Sequence, residues 1–502
     1  MGRAEPRPMR WRHLAGFAAL AFTAAGCNLA PSYQPPKLTV PGHYKEVGAW
    51  TPATPADAAP RGDWWTIFQD PTLDELERQV DLANPTLAAA VASYDASRAY
   101  AAEAASFLYP SVGAVGTSSF NRQSVRRPER GSESTPNEFG NNLLGLAAFY
   151  EIDFWGQIRN EVASGKARAQ ASAADLATAR LGLQSELADD YIALRGLDAQ
   201  ANLLDETVSA YQRALDLTSA RHAGGASSGL DVDRAMTQLQ SAKAQVSDVA
   251  AQRALYEHAI ASLVGRAAPN FSLPPALMRT PIPSIPAGLP AVLLQRRPDI
   301  AADERRAYAA NRAIGVAKAA FFPNITLMPG GGFQNTGELS LFQVPNTYWT
   351  IGPQLALGLF QGGLRHAQLA AAEAQFRLAS ATYRADVLKA FQQVEDQMAL
   401  SNHYAQEAIN EAKAVQAAQE TADLALIRYR EGATNYLEVV VAQTAELQAE
   451  QSALALETSR QQASVNLVVA LGGGWDRRDL PTMDGASHLH DPKTARLGAK
   501  AP

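Results

Sequence analysis

"LLGLAAFYEIDFW", residues 143–155, alternates with period two. Leu144, Leu146, Ala148, Tyr150, Ile152 and Phe154 share one face, while Gly145, Ala147, Glu151 and Asp153 sit with Phe149 on the other. "TYWTIGPQLALGLF", 347–360, repeats the pattern: Trp349, Ile351, Pro353, Leu355, Leu357 and Leu359 oppose Tyr348, Thr350, Gly352, Gln354, Ala356 and Gly358. Apolar outside and small or polar inside, with aromatics near the ends, is the signature of a transmembrane barrel strand. A half-buried hairpin on a soluble core is the ordinary alternative for one such segment. Here two hairpins are expected, at about 110–155 and 323–360, each flanked by helices too long for a compact domain. Four strands leave unpaired edges, which lipid forbids. Closure must come from other subunits, and three copies supply twelve strands.

The hairpins belong to a larger duplication. "NPTLAAAVASYDASRAYAAEAASFLYPSV", 84–112, resembles "RPDIAADERRAYAANRAIGVAKAAFFPNI", 297–325, with Pro85 matching Pro298 and Pro110 matching Pro323. "DFWGQIR", 153–159, matches "LFQGGLR", 359–365, and "RHAGGASSGLDV", 221–232, matches "RYREGATNYLEV", 428–439. Each copy reads as helix, hairpin, long helix, tight turn, helix. From Gln157 to His222, and again from Leu364 to Arg430, no proline interrupts an Ala-rich helical pattern. Such a run spans on the order of 100 Å. Gly165, Gly182 and Gly196 weaken the first locally and suggest stacked segments rather than one rod.

Around the two copies the sequence is of other kinds. Arg3, Arg7, Arg10 and Arg12, the apolar run Leu14 to Ala25 and then "AAGC" read as an export signal ending at Cys27, the only cysteine. Small residues before one Cys fit lipoprotein processing, with Cys27 as the lipidated first residue, and a lone thiol excludes a disulfide framework. Loss of residues 1–26 takes the formal charge from −6 to −9, which disfavours nucleic acid. The expected domains are 1–26 signal, 27–72 extended arm and equatorial segment, 73–266 first repeat, 267–296 Pro-rich linker, 297–474 second repeat and 475–502 disordered tail. "NRQSVRRPERGSESTPNEFGNN", 121–142, is too polar for hydrocarbon and reads as an exposed loop.

No catalytic constellation emerges. The glycine clusters at 330 and 471 lack the Lys and Ser or Thr of a phosphate loop. "HLHD", 488–491, is a weak metal signal in the tail, so neither metal nor cofactor is expected.

On "GCNLAPSYQPP", "WWTIFQDPTLDELERQVDLANPTLAAA", "RRPDIAADERRAYAANRAIGVAKAAFFPNI" and "RYREGATNYLEV", the chain resembles the TolC-like outer membrane factors, in the NodT/OprM-type lipoprotein branch. The resemblance runs from Cys27 to about Trp475. It implies a mixed α and transmembrane β fold, a trimer whose twelve-stranded barrel continues into a long periplasmic helical barrel. "WWTIF" and "IPSIP" are candidates for its equatorial belt. It also implies a passive exit duct in the outer membrane of a Gram-negative bacterium, partnered by a periplasmic adaptor and an inner membrane pump of the RND type, carrying drugs or other toxic molecules. A duct for type I protein secretion and a coiled-coil scaffold without a pore are the competing readings.

Each hairpin then needs its own tip, which explains the repeated turn. Gly225 and Gly432 suit left-handed helix caps and Ser227, Ser228, Thr434 and Asn435 the next N-caps. With Leu230, Val232, Leu437 and Val439 these glycines form the candidate adaptor contacts. Asp423, Arg428, Tyr429 and Arg430, in the last turns before the second tip, are the candidate periplasmic gate. Residues 424–427, Leu-Ala-Leu-Ile, supply no acidic ring, so ion pairs of Arg428 and hydrogen bonds from Tyr429 are expected to hold it.

Overall fold

The computed structural model describes residues 27–46, 63–126, 136–277, 282–283, 285, 290–337 and 340–482. The signal segment, the centre of the loop at 121–142 and the chain beyond residue 482 lie outside them. Two short helices open the first repeat, α1 (Pro71–Ala83) and α2 (Pro85–Ser106). Each begins with proline at its first position, and the preceding Asp70 or Asn84 accepts the orphan N–H groups of the first turn. Strands β1 (Ser111–Arg122) and β2 (Glu138–Glu151) follow, then α3 (Gln157–Ala223) and α4 (Gly229–Leu263). Helix α5 (Pro290–Arg296) lies in the stretch expected to be linker and takes the place that α1 has in the first repeat; α6 (Pro298–Ala319), β3 (Asn324–Leu327), β4 (Gly330–Asn335), β5 (Thr347–Thr350), β6 (Pro353–Ala356), α7 (Leu364–Arg430) and α8 (Tyr436–Ala470) follow.

The helix lengths repeat, 67 and then 35 residues in both copies. Helix α3 is one continuous rod, not stacked segments, because tertiary packing outweighs the propensity cost of its glycines. Gly196 makes room for Thr458 on α8, whereas at Gly165 a Cβ would sit 3.5 Å from the Ala101 Cα, an ordinary contact.

The strands form one antiparallel sheet in which β2 pairs with β1 on one side and with β3 and β4 on the other. Strands β4 and β5 pair, as do β3 and β6. The second hairpin therefore has two strands, each broken near its middle: residues 328–329 separate β3 from β4, and 351–352 separate β5 from β6. The Pro329 carbonyl still accepts from the Ala148 N–H, and the Ile325 carbonyl from that of Ile152, so the ladder carries past the break. Four strands result, with β1 at one edge and β5/β6 at the other.

An equatorial latch appears twice. Where α1 meets α2, Asn84 donates from Nδ2 to the carbonyl of Leu263, the last residue of α4, at 2.8 Å. Where α5 meets α6, Arg297 donates from Nη1 to the carbonyl of Ala470, the last residue of α8, at 3.1 Å. Just beyond these carbonyls Gly265 and Gly472 turn at φ 70° and 101°, with no space for a Cβ against the Ala83 and Arg296 carbonyls. Both reasons select glycine.

Extended segments belt the helices at the same level. Residues 273–276 are clasped by a buried network in which Asp198 joins Arg195 at 2.8 Å and Arg253 at 2.6 Å, while the Leu273 and Pro274 carbonyls accept from Arg253 and Arg195. On the second hairpin, the Lys45 and Glu46 N–H groups donate to Glu395, and Asn402 donates to the Glu46 carbonyl. Trp64, Trp65 and Phe68 fill one apolar cluster of this belt and Ile285 a second. The segment from Trp475 to residue 482, expected to be disordered, is docked. Trp475 and Leu480 pack on Ala171, Ala174, Ala301 and Ala302, and Arg477 pairs with Glu304 at 3.0 Å. Single anchors hold it, so no periodicity announces it.

Gly265→Ala and Gly472→Ala should each destabilise the helical domain by about 1–3 kcal/mol. Gly182→Ala, in a helix interior with nothing within 4 Å, should stabilise it by about 0.5–1 kcal/mol. Thermal unfolding of the detergent-extracted protein, followed by helical circular dichroism, separates the two outcomes.

Candidate functional site

The sheet has two unlike faces. On one lie Leu144, Leu146, Leu355 and Trp349, with Leu146 61% and Trp349 79% exposed in the single chain. On the other, Glu151 stands beside Thr326 and Thr326 beside Gln354, and Gln334 donates to Asn141 at 3.3 Å. Strands of 12 and 14 residues exceed the roughly 9–11 that a tilted strand needs to span a membrane. At the helical end of the sheet Trp155 stacks on Phe322 at 4.6 Å and donates from Nε1 to the Pro323 carbonyl, an aromatic anchor of the kind found at membrane interfaces. Among the described residues no helix is long and apolar enough to cross a membrane.

Helices α2, α3, α6 and α7 share one concave face, lined by Tyr100, Glu103, Glu161, Arg168, Val316 and Gln368. The docked segment at 475–482 packs on α3 and α6 through Ala171, Ala174, Ala301 and Ala302 and leaves this concave side open. Nearer the equator a second cavity carries Asp175, Asp303, Arg306 and Asp386. Arg306 holds both oxygens of Asp175 at 2.6 Å and one of Asp303 at 2.8 Å. Burial, then the hydrogen bond with Asp386, push the Asp303 carboxyl up to about 6 against the pull of Arg306. The lining is thus mixed apolar and charged near the sheet and becomes charged towards the equator.

At the far end the two turns are superposable in their bonding. Gly225 and Gly432 both adopt φ 77°, Ala226 donates to the Arg221 carbonyl and Ala433 to that of Arg428, each at 2.8 Å. Ser228 and Asn435 then cap α4 and α8, accepting from the N–H groups of Asp231 and Glu438. Leu230 and Leu437 are exposed, Val232 is half-buried, and Val439 is fully buried among Tyr211, Leu239 and Ala442. Val439 is therefore part of the tip core and not a contact surface; its neighbours on the other hairpin, not its helical register, decide that.

Asp423, Arg428 and Arg430 are exposed, and Arg428 reaches Glu438 on α8 at 3.7 Å. Tyr429 differs from expectation. Its ring is buried edge-to-face against Tyr436 at 5.2 Å, and its hydroxyl has no hydrogen-bond partner among the described residues. Its carbonyl accepts from Arg221 at 2.8 Å, and the Arg221 guanidinium lies 4.8 Å above its ring. Arg221 also donates to the Arg430 carbonyl, and so ties the tip of the first hairpin to that of the second. Sequence reasoning missed it, although it aligns with Arg428. Nothing in the repeat says that the two arginines turn to different partners.

A turn or two above, Glu446 sits between α7 and α8. Burial first, then Glu450 and Asp423, push its carboxyl up to about 7. Cys27, at the sheet end of the long helices, is exposed. Its carbonyl lies 2.9 Å from where a Cβ of Gly156 would stand, and Asn160 donates to the Asn28 side chain at 3.0 Å. This seats Cys27 at the strand-to-helix junction beside Trp155.

A lipid-facing sheet with open edges, continued by a long helical wall with paired tips, defines an outer membrane export channel. The sequence matches the outer membrane efflux protein family over residues 77–266 and 289–473, and the chain belongs to that family. It is 31% identical over 466 residues, 92% of this chain and 96% of the relative, to the probable efflux pump outer membrane protein TtgC of Pseudomonas putida. It is 30% identical to the outer membrane protein OprJ of Pseudomonas aeruginosa over 91% of this chain and 95% of OprJ. Among solved structures, the outer-membrane channel OprN aligns with TM-score 0.83 at 28% identity, covering 89% of this chain and all of OprN. The open-state MtrE channel of Neisseria gonorrhoeae aligns with TM-score 0.79 at 27% identity, over 91% of this chain and 100% of MtrE. The protein is an outer membrane channel of a tripartite efflux system, a trimer whose twelve-stranded barrel opens into a periplasmic helical barrel.

Because folded Glu446 keeps its proton to higher pH than its ordinary 4.5, its contribution to tip stability is present at low pH and lost as pH rises towards 7 and through it. Amide exchange across 436–446, corrected for its intrinsic pH dependence, should therefore be slower at pH 5 than at pH 8. In Glu446→Gln the difference should vanish.

Proposed function

We propose that the chain is the exit duct for small toxic molecules, held shut at rest by the Arg221 bridge and anchored by acyl chains on Cys27. The observation that carries the reading is Arg221 itself. It makes two backbone hydrogen bonds and a cation–π contact from one hairpin to the other, at the tips of both. Parting the hairpins breaks all three contacts together, so the tip has two discrete states rather than a continuum. The Arg428 pair with Glu438 stays within its own hairpin and would not resist that motion.

Leu230 and Leu437, exposed beside the two turns, offer six apolar points per trimer to a periplasmic adaptor. Such contacts would bias the equilibrium towards the open state by binding it better. An RND-type inner membrane pump would supply energy and choose the cargo. Antibiotics and toluene, named for relatives of this chain, set the class of substrate proposed: small molecules with substantial apolar surface. Lipidation is supported by the seat of Cys27, beside the aromatic anchor Trp155, where acyl chains enter the periplasmic leaflet.

In a Gram-negative host lacking its own export channels, Arg221→Ala should admit a large hydrophilic antibiotic that the intact outer membrane excludes. Killing is expected at concentrations at least severalfold lower than for the parent channel, and Arg428→Ala should have little effect. Equal resistance of parent and Arg221→Ala, at equal trimer abundance, would remove Arg221 from the gate. Cys27→Ala should lose incorporation of an alkyne-tagged fatty acid, and Leu230→Asp with Leu437→Asp should abolish export while leaving the trimer intact.

A further inference from the structure

The inner face of the barrel has a feature that neither the tip nor the helical wall explains. Tyr348 on β5 pairs with Gly332 on β4, and Gly332 pairs with Gly145 on β2, so one row across three strands reads Tyr-Gly-Gly. Tyr348 shares the face of Thr350, opposite the 79%-exposed Trp349, and this is the face of Glu151, Thr326 and Gln354. Its side chain does not stand up into the lumen. A Cβ on Gly145 would lie 2.6 Å from the phenol oxygen and 2.9 Å from the Gly331 carbonyl oxygen, and one on Gly332 would meet the Leu144 carbonyl. The ring therefore lies flat across both glycines and is half-buried while its neighbours Thr347 and Thr350 are exposed. Gly113 and Gly352, also on the inner face, have nothing within 4 Å, so the slot is confined to this row.

We propose that the Gly145–Gly332 slot and the Tyr348 ring folded into it set the width of the barrel lumen, and hence the largest solute the barrel passes. Twelve strands spaced about 4.8 Å apart and tilted near 40° give a backbone radius of roughly 12 Å. An upright tyrosine reaches inwards by about half of that, and the trimer carries three at one level. Flat, the three rings leave the bore at its full width; upright, they would reduce it at that level to a central opening about half as wide. The glycines act by what they lack.

The test uses extracellular thiol reagents and does not depend on the tip. Gln354, on the inner face and on the periplasmic side of the Tyr348 row, is replaced by Cys in the full-length chain, and the chain without this substitution serves as the blank for Cys27. Cells are treated with maleimides carrying polymers of increasing size, and the largest that modifies Q354C is recorded. A small maleimide should label every variant equally, which reports an intact barrel. Gly145→Ala should lower the size limit by tilting the ring, Gly145→Ala with Tyr348→Ala should restore it, and Gly113→Ala should leave it unchanged. Tyr348→Ala alone should match or exceed the parent. An unchanged limit in Gly145→Ala, or no recovery on removing the ring, would overturn the proposal. If Gly145→Ala fails to take even the small reagent, Tyr348→Trp in the unaltered slot decides instead: a lowered limit supports the proposal and an unchanged one overturns it.

Discussion

Everything in this molecule follows from the cost of an unpaired backbone amide in hydrocarbon. One chain supplies four strands, with β1 open at one edge and β5/β6 at the other. In water such edges are tolerated; in lipid each unmade bond costs several kcal/mol, so a single chain cannot occupy the membrane alone. Three chains closing into twelve strands leave no edge. The threefold axis so imposed then dictates the helices, which must continue the wall rather than bury themselves in a globule.

The duplication makes that wall cheaply, and its departures from symmetry mark where the copies took different duties. The latches keep the geometry while changing the donor: Asn84 became Arg297, and both still seal the last carbonyl of a returning helix. In the second copy the arginine also holds Gln393 and Asp299, extending the latch towards the charged cavity of the interior. At the tips the caps are the same while the arginines diverge. Arg428 pairs within its hairpin and Arg221 crosses to the other, so a repeated residue yields one local brace and one bridge. The long rods transmit such a difference, since helices packed along 67 residues move as bodies.

Much of this was legible in the sequence because it is periodic. Alternation at 143–155 and 347–360 gave the strands and their faces, unbroken Ala-rich runs gave the long helices, and the paired "RYREGATNYLEV" and "RHAGGASSGLDV" gave the tips with their glycine caps. What escaped is what periodicity cannot encode. Val439 and Tyr429 are buried by the neighbouring hairpin, Gly196 makes room for a side chain of another helix, and the segment from Trp475 is held by isolated side chains. Arg221 was invisible for a related reason: its partner lies 208 positions away and is mostly a backbone carbonyl, which leaves no residue pattern to read.

The account stands most directly on single-channel recording from the purified mature protein in planar bilayers, before and after shortening both hairpins by their terminal turns. It predicts discrete, uniform steps from a crosslinkable trimer that grow several-fold once the tips are removed. A trimer that inserts fully and stays silent after that shortening would contradict it, because a wall of twelve strands with its closing end removed has nothing left to stop ions.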